Sequence, residues 1–99
     1  MYYIIKAADH AGSSERRLAA RADHVKRLKR LQDDGRLLVA GPIPAIDAED
    51  PGPAGYSGSV VIADFDSLED ATQWANSDPY VAAGVYADVT VQPFHKALP

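Results

Sequence analysis

His24 is the residue of this 99-residue chain whose type and setting point most directly to chemistry. Over residues 14–34, apolar side chains recur at the helical period of about 3.6, which predicts a helix with one apolar face. Arg17, Arg21 and His24 fall on that same face, where a helix that only packs would carry aliphatic side chains. This basic stripe predicts that the helix lines a pocket for an anionic or acidic small molecule. The apolar members of the face are Leu18, Ala22, Val25, Leu28 and Leu31.

Histidine both gives and takes protons near neutral pH, and a carboxylate partner would favour its action as a general base. A carboxylate bound to one ring nitrogen fixes the tautomer and raises the basicity of the other. Asp78 is the candidate, and Asp9 and Asp34 are alternatives because position in sequence does not give distance. Asp78 precedes Pro79 at a predicted helix start, where it is also a good N-cap, and a carboxylate has acceptor sites for both roles. The alternatives to catalysis are a structural histidine at a helix contact and an aspartate that only caps.

The two arginines are candidates for substrate binding. Arg17 and Arg21 suit a carboxylate, phenolate or phosphate through their charge and fork geometry. The alternative is that they extend into solvent or pair with an acidic residue of the chain. The acidic residues considered for that pairing are Asp9, Glu15 and Asp78.

Three further residues are candidates for contact with a ligand, namely Tyr80, Gly41 and Pro42. Tyr80 either hydrogen-bonds the ligand or packs in the core. Gly41 and Pro42 form a backbone turn at the end of a strand, with turn chemistry alone as the alternative. The Pro- and Gly-rich segment at residues 47–55 is a candidate lid, although most loops of this composition are ordinary turns.

The elements that must position these residues follow the order β-α-β-β-α-β. Strands are predicted over residues 2–8, 37–40, 59–65 and 86–94, with Gly41-Pro42 and Pro44 ending the second. The first helix is predicted to begin at Ser13 or Ser14 and to end at Gly35, and the second begins at Ser67. A short helical turn opens at Asp78-Pro79. This order predicts an α+β, ferredoxin-like fold, a four-stranded antiparallel sheet with two helices on one face.

The composition of the strands predicts a homodimer. Residues 2–5, 37–39 and 60–63 are apolar in unbroken runs, as in a sheet that is covered on both faces. Two helices cover only one face, and the other would be a large apolar patch. A second copy of the chain, packed sheet to sheet, would cover it.

Bulk composition excludes several classes of function. Residues 1–99 are predicted to form one domain with a net charge of −4, which argues against a nucleic-acid-binding surface. The chain has no cysteine, and no apolar run is long enough for a membrane span, so a cytoplasmic protein is expected. The histidines at positions 10, 24 and 95 lack metal-ligand spacing, and no glycine-rich phosphate loop is present. We therefore expect neither metal nor cofactor.

Several motifs carry a resemblance to a known family. They are Arg21-Ala22-Asp23-His24, Asp34-Gly35-Arg36-Leu37-Leu38, Ala40-Gly41-Pro42, Ser67-Leu68-Glu69-Asp70-Ala71, Asp78-Pro79-Tyr80-Val81-Ala82-Ala83-Gly84 and Val91-Gln92-Pro93-Phe94. Over essentially its whole length the chain resembles the YciI-like family, within the dimeric α+β barrel superfamily. The resemblance implies a ferredoxin-like protomer, a dimer, and an active site around His24 and Asp78. Some relatives act on chlorinated or hydroxylated aromatic compounds, and the superfamily includes lactone isomerases and cofactor-free oxygenases.

Two functions from different classes follow from these observations. In the first, the protein is a cofactor-free isomerase or lyase: His24 transfers a proton, Asp78 orients it, and Arg21, with Arg17, stabilises negative charge. In the second, the same pocket belongs to a non-catalytic protein that binds a small acid or serves as an accessory. The fold alone does not decide between them.

Overall fold

The computed structural model of the chain describes residues 1–99. Its strands are β1 (Tyr2–Asp9), β2 (Leu37–Pro44), β3 (Tyr56–Asp64) and β4 (Tyr86–Phe94), and its helices are α1 (Ser14–Asp33), α2 (Leu68–Asn76) and α3 (Pro79–Ala82). The strands form one antiparallel sheet in the order β2-β3-β1-β4. The helices pack on one face of it. The predicted α+β, ferredoxin-like fold is therefore confirmed.

Strand β2 is longer than the sequence predicts. We expected Gly41, Pro42 and Pro44 to end it, but pairing with β3 continues through Pro42↔Ser59 to Pro44↔Tyr56. The reason is position, because β2 is an edge strand and its outward backbone groups need no partner strand, so proline is tolerated there. The partner strand β3 correspondingly begins at Tyr56, before the predicted start at Ser59.

Helix α1 begins at Ser14, one of the two predicted starts, and ends at Asp33. Gly35 follows its C-cap, and its positive φ of 71° is the left-handed conformation that glycine adopts readily. Its buried residues are Arg17, His24 and Leu31, each seven positions after the last. Leu18, predicted on the buried face, is 76% exposed. Relative to the predicted orientation, the helix is therefore rotated about its axis. At its N-terminal end Arg17, and not Leu18, faces the sheet.

The core lies between the sheet and the helices in two clusters. The larger cluster, around Ile5, Val61 and Phe65, packs beneath α2 and the C-terminal half of α1. Ser67 caps α2 by accepting a hydrogen bond from the backbone N–H of Asp70 at 3.0 Å. Leu68, predicted on the apolar face of α2, is exposed at the first position of the helix. The smaller cluster supports the site, and its members are Ala7, Tyr80, Val85 and Tyr86.

The opposite face of the sheet is apolar along its centre. Ile4 of β1 pairs with Ile62 of β3, and both are half-buried in the single chain, as is Val60. Val39 of β2 lies beside Ile62 and is exposed. No helix in the chain combines the length and hydropathy that a membrane span requires.

Gly58 of β3 is the position where the sheet tolerates no side chain. A Cβ atom there would collide with the backbone carbonyl oxygen of Ala7 in β1. Gly58→Ala is therefore expected to destabilise the protein by about 2–3 kcal/mol, as overpacking in a tight core does. Urea unfolding measures the change, with Gly41→Ala as control because its Cβ would meet nothing within 4 Å. Equal stability of the two variants would contradict the expectation.

Candidate active site

His24 and Asp78 meet where α1 crosses the start of α3. The His24 Nδ1 atom lies 2.9 Å from Asp78 Oδ1 and 2.8 Å from Oδ2. The same Oδ1 accepts a hydrogen bond from the backbone N–H of Tyr80 at 2.9 Å, so Asp78 is also the N-cap of α3. The two residues are only 6% and 4% exposed. Helix capping thus fixes a buried carboxylate against the imidazole.

The contact with Asp78 sets the tautomer of the His24 ring. An ionised carboxylate only accepts hydrogen bonds, so Nδ1 carries the hydrogen and donates it. The other nitrogen, Nε2, then holds a lone pair, and it has no hydrogen-bond partner within the chain. Because the ring lines a cavity, this lone pair is available to a bound molecule.

Tyr80 holds the plane of the imidazole. The two rings stack with centroids 4.0 Å apart and an interplanar angle of 16°. Tyr86 contacts Tyr80 edge-on at 5.4 Å, so a second aromatic ring braces the first. Burial raises the pKa of the Tyr80 hydroxyl, against the opposing charges of Arg17 and Arg21, and burial likewise raises the pKa of Tyr86. Both hydroxyls therefore stay protonated at neutral pH.

The cavity has a volume of about 500 Å³ and lies between α1, the β2–β3 edge of the sheet and the loop that follows β2. Six of the predicted site residues line it, and Asp78 lies behind His24 without lining it. The six are Arg17, Arg21, His24, Gly41, Pro42 and Tyr80. The candidate lid at 47–55 contributes Gly52, Pro53 and Gly55 to the wall.

The two arginines occupy different electrostatic environments. Arg17 is buried and donates to Asp9 at 2.9 Å, to the Gly58 carbonyl at 2.9 Å and to Ser59 Oγ at 2.7 Å. Burial lowers the pKa of its guanidinium, but the hydrogen bond and charge of Asp9 outweigh it and raise that pKa above its usual value. Arg21 lines the cavity, is exposed and has no ion pair within the chain. Its charge is the one that is free to meet a ligand.

The other candidate partners of His24 lie elsewhere. Asp9 pairs with Arg17, and this is one of the ion pairs that the sequence suggested for that arginine. Asp34 is exposed at the C-terminal cap of α1. His10 and His95 are exposed as well, and no three His, Asp or Glu side chains converge in a way that could hold a metal ion.

Sequence reasoning missed four residues around the site, namely Arg27, Tyr56, Ser59 and Tyr86. Ser59 was expected to begin β3, but the strand begins at Tyr56, which places Ser59 inside the strand, where its Oγ accepts a hydrogen bond from Arg17. Arg27 carried a usable signal, since it follows His24 by three positions and so lies near it on the helix. Tyr56 and Tyr86 carried none, because strand tyrosines on either face look alike in sequence.

The fold and this geometry define the class of the protein: an α+β, ferredoxin-like domain with a buried histidine–aspartate contact at the wall of a cavity. A family model described as the YCII-related domain matches residues 1–95. The chain belongs to this family. It is 59% identical to "Protein YciI" of Escherichia coli O6:H1 over 99% of this chain and 100% of that protein. An uncharacterized protein of Haemophilus influenzae is 58% identical over the same shares of the two chains.

A solved structure has the same fold. It is 5-chloro-2-hydroxyhydroquinone dehydrochlorinase (TftG) from Burkholderia phenoliruptrix AC1100, in complex with 2,5-dihydroxybenzoquinone. The TM-score is 0.83, with 24% identity over 96% of this chain and 94% of that one. At this identity the similarity establishes the fold.

Proposed function

We propose that the protein is a cofactor-free enzyme that transfers a proton on a small acidic, aromatic or lactone-like substrate. The reaction type would be isomerisation or elimination, including loss of halide. One observation carries the proposal: the buried His24 ring gives one nitrogen to Asp78 and presents the other, unpartnered, to a cavity of ligand size. A histidine with both nitrogens bonded to the protein would instead favour a structural role.

The proposed reaction begins with an anionic group of the substrate against Arg21, at the mouth of the cavity. The Nε2 lone pair of His24 then takes a proton from a carbon or hydroxyl next to a carbonyl or ring. Asp78 stabilises the imidazolium that forms, and the positive charge of Arg21 stabilises the developing negative charge. In an isomerisation, the imidazolium returns the proton at another atom. In an elimination, the electron pair of the broken C–H bond forms a double bond, halide or water leaves, and the proton passes to solvent.

The substrate class is part of the proposal. Tyr80 and His24 line the cavity together with the apolar side chains of Val25 and Leu28, and this mixture of aromatic and apolar groups suits an aromatic substrate. The dehydrochlorinase with the same fold was solved in complex with 2,5-dihydroxybenzoquinone, a compound that combines a planar ring with acidic hydroxyls. Both features support small hydroxylated or chlorinated aromatic acids and lactones as the first compounds to test.

A screen tests the proposed function. The purified protein is incubated with hydroxylated and chlorinated aromatic acids and lactones, and halide release, isomer formation and exchange of substrate hydrogen with D₂O are followed. We expect one class to react, with the reaction dependent on His24. Tight binding of a compound without any exchange or conversion across the screen would instead favour the alternative, a protein that binds a small acid without catalysis.

We propose that the protein is a homodimer in which the open faces of two sheets pack together. The support is the line of apolar side chains on that face, which a single chain leaves partly exposed. Ile62→Glu would place a charge at its centre, and we expect the mass in solution to fall from twice the 10.6 kDa protomer mass to the protomer mass itself. Analytical ultracentrifugation measures this, with Gln73→Glu on the exposed side of α2 as control. A wild-type protein of protomer mass would overturn the proposal.

A further inference from the structure

Arg27 lies one helical turn after His24 and reaches the same carboxylate. Its Nη1 atom is 3.8 Å from Asp78 Oδ2, on a side chain that does not line the cavity. Its Nη2 atom donates to the Trp74 carbonyl at 2.7 Å, and the guanidinium lies 4.3 Å from the centre of the Trp74 ring. Trp74 therefore anchors the cation, and the anchored cation points its remaining amino group at Asp78.

The contact between Arg27 and Asp78 is one of charge. At 3.8 Å the two atoms are too far apart for a hydrogen bond, and Nη1 is the one buried side-chain nitrogen or oxygen in the structure with no hydrogen-bond partner. Burial lowers the pKa of Arg27, and the charge of Arg30 lowers it further, while the charge of Asp78 opposes this change. Because the usual pKa of a guanidinium lies far above neutral, Arg27 stays charged. If the side chain at position 27 served only to pack on Trp74, an apolar residue would pack there without leaving a buried donor unpartnered.

We propose that Arg27 is a positioning residue for the pair formed by His24 and Asp78: its charge attracts the Asp78 carboxylate and limits how firmly His24 keeps a proton. With neutral His24, the charges of Asp78 and Arg27 balance. Once His24 is protonated, the group carries one excess positive charge, which favours return of the proton to the product. The catalytic meaning of this inference rests on the proposed function.

Other charges surround the pair, and the test must hold them constant. Arg17 and Arg21 approach from the cavity side, Tyr80 and Tyr86 are neutral, and Arg30 lies near Arg27 on α1. Arg30 is exposed and makes no contact with Asp78, so Arg30→Gln removes the same formal charge from the same helix. That variant is the matched control.

The experiment follows the ring protons of His24 by NMR in histidine-labelled protein from about pH 5 to 9. Arg27→Gln removes the charge and keeps a polar amide at this position. We expect it to move the midpoint of the His24 titration upward by about one pH unit, because a nearby positive charge no longer opposes the imidazolium. Arg27→Lys keeps the charge, and we expect it to move the midpoint less than half as far. Arg30→Gln should leave it within about 0.2 units.

Two results would overturn the inference. One is a midpoint in Arg27→Gln that moves no further than in Arg30→Gln, and the other is an equal shift in Arg27→Lys, which would show that charge is not the cause. If Arg27→Gln does not fold, as judged by circular dichroism, Arg27→Met provides a second neutral variant. The titration can be measured without a substrate, so the two proposals can fail separately. If Arg27→Gln shifts the His24 midpoint but the wild-type protein shows no His24-dependent turnover, the proposed function alone is overturned. His24-dependent turnover with an unmoved midpoint overturns this inference alone.

Discussion

Replacing His24 with glutamine is expected to lower kcat/KM for a substrate found by the screen at least about 10³-fold, within the range that a general base contributes. Glutamine nearly fills the imidazole volume, and its amide can still donate to Asp78, but it offers no nitrogen lone pair to the cavity. The fold should survive at a cost of about 1–2 kcal/mol, as expected for one altered buried hydrogen bond. The measurements are steady-state kinetics, circular dichroism and the mass in solution.

The control for His24→Gln is His10→Gln, which makes the same chemical change at an exposed position. We expect that control to keep wild-type kinetics. A His24→Gln variant that unfolds or changes its mass in solution would show that the histidine is structural. A folded variant that retains activity would show that another group moves the proton, and the proposed mechanism would be wrong.

The sequence predicted the fold because its signals were local and agreed with one another. Helix α2 has a serine cap with an acidic first turn, and Asp78-Pro79 is the typical start of another helix. Each of these two helices therefore begins where its capping residue predicts. The prolines of β2 were misinterpreted because proline ends a central strand but not an edge strand, and strand order is a tertiary property. Leu18 was misplaced for a similar reason, since the rotation of α1 against the sheet depends on packing.

The candidate site was predictable only in part. His24 stood out because a polar residue on an apolar helix face needs an explanation, and the cap at Asp78 marked a carboxylate with acceptor sites to spare. The distance between them, across 54 positions of sequence, required the structure. So did the pairing of Arg17 with Asp9, which leaves Arg21 as the free cation at the cavity. Charge and spacing suggest several partners for an arginine, and the three-dimensional structure is needed to identify the one that it binds.

Asp78→Asn is expected to reverse the tautomer of His24, with a large loss of activity. The backbone N–H of Tyr80 would retain the amide oxygen, because it donates to Oδ1 in the wild type. The amide nitrogen then takes the place of Oδ2, 2.8 Å from Nδ1, and donates to it. Nδ1 becomes an acceptor, the hydrogen moves to Nε2, and the cavity faces an N–H where it had a lone pair. A tautomer inversion of this kind in a catalytic triad costs roughly 10⁴ in kcat, and we expect a similar loss here.

Imidazole ¹⁵N chemical shifts distinguish the two tautomers directly, so the cause can be measured apart from the rate. We expect Nδ1–H in the wild type and Nε2–H in Asp78→Asn, with an unchanged fold because the two side chains have the same shape. Asp34→Asn is the matched control, since it makes the same change at an exposed aspartate that the sequence left open as a partner of His24. A variant that keeps the Nδ1–H tautomer but loses activity would assign Asp78 a role in charge stabilisation and not in orientation. A variant with the reversed tautomer and full activity would remove His24 from the proton-transfer step, because its lone pair would then point into the protein.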